Sequence, residues 1–223
     1  NIAIDGPAGA GKSTIAKMVA KELGFIYVDT GAMYRAMAFY FLENGIQPED
    51  ETRVSAICGQ IDISLRYQDG VQQVILNGRD VSGKIRTEAV GNAASVVSAY
   101  RAVRQALLAL QQNLAKTSNV IMDGRDIGTC VLPNAQTKIY LTASSHVRAV
   151  RRYKELTEKG QMCNLEEIEQ DIIERDHRDM TRETAPLKQA EDAVLLDSSE
   201  MTLDQVVQAI IDTAKARGLK EEA

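Results

Sequence analysis

Gly6-Pro7-Ala8-Gly9-Ala10-Gly11-Lys12-Ser13 fills every fixed position of the spacing G-x-x-x-x-G-K-[ST]. Glycines at these points let the main chain close around phosphate oxygens, so that successive N–H groups and the start of the next helix face an anion. Lys12 would then reach the β- and γ-phosphates, and the Ser13 hydroxyl would hold Mg²⁺. Both flanks agree with this chemistry. Ile2-Ala3-Ile4 is an apolar run before the loop, and Ile15, Met18, Val19 and Leu23 give the segment after it an apolar helical face. A glycine-rich turn without a ligand would need the full pattern and both flanks to coincide by chance. A triphosphate site is therefore expected at Gly6, Pro7, Ala8, Gly9, Ala10, Gly11, Lys12, Ser13 and Thr14.

Phosphoryl chemistry also needs cations that do not lose their charge, and several arginines are placed to supply them. Two charge-dense helical segments are expected at about 145–160 and 164–182, separated by Gly160. Arg148, Arg151 and Arg152 lie on the first. Arg175, Arg178 and Arg182 recur on the second at spacings of three and four, which predicts a shared helix face with Asp176 and Asp179 between them. A charge run of this kind is ordinarily a solvated, salt-bridged helix pair. Beside a triphosphate site the better reading is a flap over about 145–182 that excludes water and neutralises developing charge. Lys12, Arg125, Arg178 and Arg182 are the candidate catalytic cations. Asp123 ends the third apolar run, where it can support the metal or orient Arg125.

The elements that must hold these residues follow from periodicity. Apolar runs at Asn1–Ile4, Phe25–Val28, Asn119–Met122, Thr137–Thr142 and Ala193–Leu196 alternate with helical patterns, the mark of a parallel sheet covered on both faces. Thr202 and Gln205 read as a capping box. Leu203, Val206, Val207, Ile210, Ile211 and Ala214 follow as one stripe, and Gly218 as a stop. One stretch breaks the rhythm. Ile61–Tyr67 alternates strictly, Asp69-Gly70 is a hairpin turn, Val71–Leu76 is a second strand, and Asn77-Gly78 turns again toward Val81. A small antiparallel sheet inserted at about 60–85 is expected, with a role in a second-substrate site.

Composition narrows the classes. The chain has 223 residues, enough for one large domain, with 26% charged and 44% hydrophobic residues. A net charge of −5 gives no basic field for nucleic acid, and seven Tyr, three Phe and no Trp leave little to stack bases. No run approaches the roughly 18 apolar residues of a membrane span. No secretory leader is visible before the first strand. Cys58, Cys130 and Cys163 lack ligand or disulfide spacing, so reduced, semi-buried thiols are expected. His146 and His177 have no metal-like neighbours and read as surface residues. An N-K-x-D segment, needed for reading guanine, is absent. These features place the chain in the cytoplasm, with no membrane or nucleic-acid partner.

Three further motifs accompany the phosphate loop: Asp29-Thr30-Gly31-Ala32-Met33-Tyr34-Arg35, Asn92-Ala93-Ala94-Ser95 with Arg104 downstream, and Asp123-Gly124-Arg125-Asp126. Together with Arg175-Asp176-His177-Arg178-Asp179 and Arg182, the set closely resembles the bacterial cytidylate kinases over essentially the whole chain. Thr30 stands where many members have Ser, and the hydroxyl is kept. The resemblance implies a phosphate-loop α/β fold of the nucleoside-monophosphate kinase kind, with a five-stranded parallel sheet of order 2-3-1-4-5 and a helical lid. It implies a monophosphate-binding region at about 30–105. It assigns Arg35, Arg125 and Arg182 to the monophosphate, Thr30, Ser95, Arg104 and Asp126 to the cytosine, and Arg175 and Asp179 to the ribose. The expected reaction is transfer from ATP, with Mg²⁺, to CMP and dCMP by a monomer. Another small acceptor such as UMP or AMP, or a nucleotide-gated switch, are the competing readings.

Overall fold

The computed structural model describes residues 1–219. It contains a five-stranded sheet and a separate three-stranded one, and the chain divides into two compact units. One unit comprises Asn1–Phe25 and the chain from Ile121 onward; the other is Ile26–Val120.

The central strands of the first unit bury side chains on both faces, whereas its last strand, Val194–Asp197, is largely exposed. β1 (Ile2–Asp5) is wholly buried, which explains its unbroken apolar run. It pairs in parallel with β6 (Val120–Gly124) on one side and with β7 (Thr137–Thr142) on the other, so that Ile2 lies opposite both Ile121 and Thr137. β8 (Val194–Asp197) adds in parallel to β7. With β2 (Ile26–Asp29) the strand order is β2-β6-β1-β7-β8, which is 2-3-1-4-5 when only the parallel strands are counted, as the resemblance implies.

α1 (Lys12–Leu23) starts at Gly11 and stops at Gly24, both in the left-handed region. It buries Ile15, Ala16, Val19 and Ala20. α8 (Leu203–Ala216) carries the expected capping box between Thr202 and Gln205. Its stripe begins one turn later than the sequence suggests. Val206, Val207, Ile210, Ile211 and Ala214 are buried, whereas Leu203, the first helical residue, is 51% exposed.

α6 (Ser145–Glu158) and α7 (Leu165–Thr181) are the two charged helices. Ser144 and Asn164 cap them through bonds to Val147 N and Glu166 N. The expected shared arginine face does not form. α7 ends at Thr181, and Arg182 follows in extended conformation at the C-cap. Arg175 is half-buried, whereas Arg178 is exposed on an outer groove with Ile173, Glu174 and His177.

The second unit holds the inserted sheet. β3 (Ile63–Gln68), β4 (Val71–Leu76) and β5 (Arg79–Asp80) pair antiparallel. Asp69-Gly70 and Asn77-Gly78 make the two turns with positive φ at both residues, the geometry that matches strand twist in a two-residue hairpin. Val74, Ile75 and Leu76 anchor this sheet in the core. α2 (Thr30–Glu43), α3 (Glu51–Ile57), α4 (Glu88–Val97) and α5 (Arg101–Thr117) complete the unit. Cys58 is buried, Cys163 partly so, and Cys130 is exposed rather than semi-buried; all three are free thiols.

Candidate active site

The phosphate loop lies between β1 and α1. Gly6, Gly9 and Gly11 all have positive φ, and a Cβ on Gly6 would come within 1.9 Å of the Leu141 carbonyl oxygen. No other residue fits at that point. Lys12 is buried with its Nζ donating to the Pro7 carbonyl at 2.7 Å. Burial, and next the charge of Arg125, push its pKa down, while Asp123, Asp5 and Asp179 pull the other way. Ser13 Oγ donates to Asp123 Oδ2 at 2.8 Å, so a hydroxyl and a buried carboxylate stand side by side at the start of α1.

The Asp123-Gly124-Arg125-Asp126 turn leaves the end of β6 and enters a π-helical turn at Ile127–Val131. Sequence reading did not single out Asp5, the last residue of β1, which holds this turn. Its buried carboxylate accepts from Ile127 N and Gly128 N, both at 2.7 Å. Burial raises its pKa to about 6, against those two bonds; Asp126 raises it further and Lys12 opposes. An acidic residue ending a fully apolar strand directly before a phosphate loop was the available signal.

Arg125 Nε donates to Asp179 Oδ2 at 2.8 Å. Burial alone would raise the Asp179 pKa, but Arg125, with Arg175 and Arg182 beyond it, holds it below the usual carboxylate value. The Arg182 side chain is only 6% exposed; its Nη2 donates to the Ala185 carbonyl at 2.6 Å and lies 3.7 Å from Asp126 Oδ1. This unit therefore gathers Lys12, Ser13, Asp123, Arg125, Asp126, Arg175, Asp179 and Arg182 in one electrostatic neighbourhood, and leaves Arg178 at its outer margin.

The three arginines of α6, alike in sequence, have three different fates. Arg152 joins Glu155 and Lys159 in an exposed ion-pair chain. Arg151 donates to the Ser198 carbonyl at 2.7 Å. Arg148 is buried; it donates to the Ala8 carbonyl of the phosphate loop at 2.9 Å, to Ala143 O at 2.9 Å, and to both oxygens of Asp176 at 3.1 and 2.5 Å. α6 and α7 are thus fastened to the phosphate loop through one side chain.

In the second unit, Asp29 caps α2 by accepting from Ala32 N at 2.9 Å, and Thr30 is buried directly after it. Arg35 Nη1 reaches the Ile85 carbonyl at 3.4 Å and lies 3.0 Å from where a Cβ on Gly91 would stand. Ser95 is buried on α4, with Ser98 Oγ donating to its carbonyl at 3.0 Å. Arg104 donates to Ser98 O at 3.1 Å and stacks 5.4 Å from the centre of the Tyr34 ring, a cation–π arrangement. Two residues absent from the sequence reading also converge on Asp29. Arg86 Nη2 meets its carboxylate at 2.6 Å, and Gln72 bonds its main chain on both sides.

Among the described residues, no group of three or more His, Cys, Asp or Glu could hold a metal, and no helix is long and apolar enough to cross a membrane. His146 bonds Glu169 at 2.9 Å and lies at the surface.

A family model described as cytidylate kinase matches residues 2–216. A cytidylate kinase of Caldicellulosiruptor bescii is 51% identical over 212 residues, which cover 95% of this chain and 94% of the relative. One from Shouchella clausii is 47% identical over 215 residues, covering 96% of each. A gluconokinase from Sinorhizobium meliloti overlaps at a TM-score of 0.49 with 15% identity over 97% of this chain and 91% of its own, a likeness too loose to bear on function. With the phosphate loop, the buried cation cluster and the inserted sheet all present, the chain belongs to the cytidylate kinase family.

Proposed function

We propose that this kinase transfers the γ-phosphoryl group of ATP to CMP, and also to dCMP, releasing ADP and the nucleoside diphosphate. The observation that carries the reading is the family match over residues 2–216 on a chain whose phosphate loop has the required backbone. Lys12 exchanges the Pro7 carbonyl for β- and γ-phosphate oxygens when ATP enters. The acceptor oxygen belongs to a phosphate already anionic at neutral pH, so the step needs no strong general base. In-line attack forms the new P–O bond as the bond to ADP breaks.

The side chains act by position and charge. Asp179 orients Arg125, and Asp126 stands beside Arg182, so two planar guanidinium groups are held in place before substrate arrives. Arg178 and Arg182 complete the neutralisation of the transferred group as the 145–182 flap closes. Arg35, Arg125 and Arg182 are assigned to the acceptor phosphate. Thr30, Ser95, Arg104 and Asp126 are assigned to cytosine, and Arg175 and Asp179 to the ribose.

The Ser13–Asp123 pair fits Mg²⁺. A hydroxyl and one carboxylate are what this ion takes from protein when phosphates and water supply the remaining ligands. Ser13 and Asp123 would hold it, and it would supply positive charge against the phosphate oxygens. We assign the enzyme to the cytoplasm as a monomer acting on small molecules, consistent with its net charge of −5 and the lack of a basic surface composition.

The test is ADP release measured with AMP, GMP, UMP, CMP, dCMP and no acceptor. Cytosine presents an amino donor beside two acceptors, matching a carboxylate at Asp126 and a guanidinium at Arg104; uracil reverses the donor. Groups of this kind discriminate by up to ~10⁴–10⁵ when fully enclosed and by less when wet. CMP and dCMP should turn over fastest, and Asp126→Ala should lose kcat/KM for CMP more than for UMP. Equal use of UMP or AMP by the wild type overturns the cytosine assignment.

A further inference from the structure

β2 lies at an edge of the five-stranded sheet, where main-chain groups have no strand partner on the outer side. Main-chain groups alternate in direction along a strand. Ile26 N points inward and donates to Asn119 O at 2.9 Å, so Tyr27 and Asp29 point outward. Side chains of the inserted sheet meet these outward groups. Tyr67 Oη on β3 donates to Tyr27 O at 3.1 Å. Gln72 on β4 accepts from Asp29 N at 2.9 Å and donates to Asp29 O at 3.3 Å. The Gln72 amide reproduces, with one side chain, the paired donor and acceptor of a neighbouring strand, and the two bonds fix which way the amide faces.

The residue so held is not an ordinary edge residue. Asp29 ends β2 and caps α2, and its carboxylate serves Ala32 N and Arg86 together. Thr30 follows immediately, and Arg35 lies little more than one turn further on. Arg35 also touches Ile85, the residue before Arg86, on the segment that leaves the inserted sheet. A shift of the Asp29 peptide therefore moves the start of α2, while the alternative supports of Arg35 stay with the inserted sheet.

We propose that Gln72 is a positioning residue for the acceptor nucleotide: its amide locks the Asp29 main chain to the inserted sheet and so sets the placement of Thr30 and Arg35. The inserted sheet is then part of the acceptor machinery through one hydrogen-bonded side chain, beyond its role as cover for a sheet edge. This rests on the assignment of Thr30 and Arg35 to the acceptor.

The experiment compares Gln72→Ala with Tyr67→Phe. Both remove hydrogen bonds to the same edge, but only Gln72 holds the residue beside Thr30. Steady-state KM for CMP, KM for ATP, kcat and thermal midpoint are measured for each. Gln72→Ala should raise KM for CMP about tenfold, the scale of one or two lost hydrogen bonds, with KM for ATP within about twofold. Tyr67→Phe should leave both constants within about twofold. Equal effects of the two variants on CMP, or a Gln72→Ala loss shared equally by ATP and CMP with a parallel fall in midpoint, would reduce Gln72 to edge cover and overturn the proposal. Failure of the functional reading appears separately, in the wild type: if it prefers another monophosphate, KM for that acceptor is read instead, and if it uses none, both readings fall.

Discussion

The Ser13 hydroxyl and the Asp123 carboxylate, 2.8 Å apart, join the first turn of α1 to the end of β6. The pair links the phosphate loop to the strand beside its own. Removing the carboxylate should weaken metal support while leaving the loop's backbone intact. Asp123→Asn is expected to raise the Mg²⁺ concentration for half-maximal turnover by about 10- to 100-fold, as loss of an outer partner commonly does. Turnover titrated against Mg²⁺ checks this; an unchanged midpoint would remove Asp123 from the metal's surroundings. Lys12→Ala should nearly abolish transfer in a protein that still folds.

Gly91 separates helix stability from function. Replacing a helical glycine by alanine ordinarily stabilises by about 1 kcal/mol. Here the new Cβ would lie 3.0 Å from Arg35 Nη1 and force the guanidinium aside. Gly91→Ala should therefore keep or raise the thermal midpoint while KM for CMP rises several-fold and KM for ATP stays near the wild-type value. A fall in midpoint with unchanged KM for CMP would contradict the assignment of Arg35.

Closure of the 145–182 segment can be read by hydrogen exchange. Protection across α6 and α7 should increase when ATP and CMP analogues are bound together, and less with either alone. Arg182→Ala should cost more than about fivefold in kcat/KM, beyond what a surface ion pair of 0–1 kcal/mol explains. Unchanged protection together with a silent Arg182→Ala would return the segment to a static helix pair.

Asp5 predicts a pH dependence of stability. Its folded pKa of about 6 stands above the ordinary 3.8, so the native state binds the proton more tightly than the unfolded chain. The contribution of the neutral form is fully present below about pH 4 and is lost as pH rises toward and through 6. Relative to Asp5→Asn, wild type should lose up to about 3 kcal/mol between pH 4 and pH 7, the equivalent of roughly two pKa units. Denaturant unfolding of both proteins at the two pH values measures it. A difference constant with pH would mean that the carboxyl titrates normally.

β1, β6 and most of β7 were legible because burial on both faces makes them apolar runs, and β8 reads as such a run although it is largely exposed. The inserted hairpins were legible because Asp69-Gly70 and Asn77-Gly78 are residue pairs that tolerate positive φ. Leu203 misled because periodicity marks a helix face without saying where the sheet beneath it ends. Arg182 misled because spacing extrapolates a helix that stops at Thr181 with no glycine to announce it. Arg148 and Arg151 could not be told from Arg152, since their partners Ala8 and Ser198 are fixed by tertiary structure, whereas Arg152 meets Glu155 three residues on in the same helix. Gln72 and Asp5 were silent for the same reason: their partners, Asp29 and the Ile127–Gly128 amides, are 43 and more than 120 positions away.

The central position of β1 has a consequence for how the chain is made. The nucleotide loop is synthesised well before the two strands that flank its own, since β1 pairs with β6 and β7 at residues 121–124 and 137–140. Until those residues emerge, the loop has no sheet behind it, and Gly6 has no Leu141 carbonyl to pack against. Nascent chains that stop short of Leu141 should not retain ATP, and folding should be slow because the central pairings are non-local. Binding capacity is acquired only once β7 has been made, from a motif translated long before it.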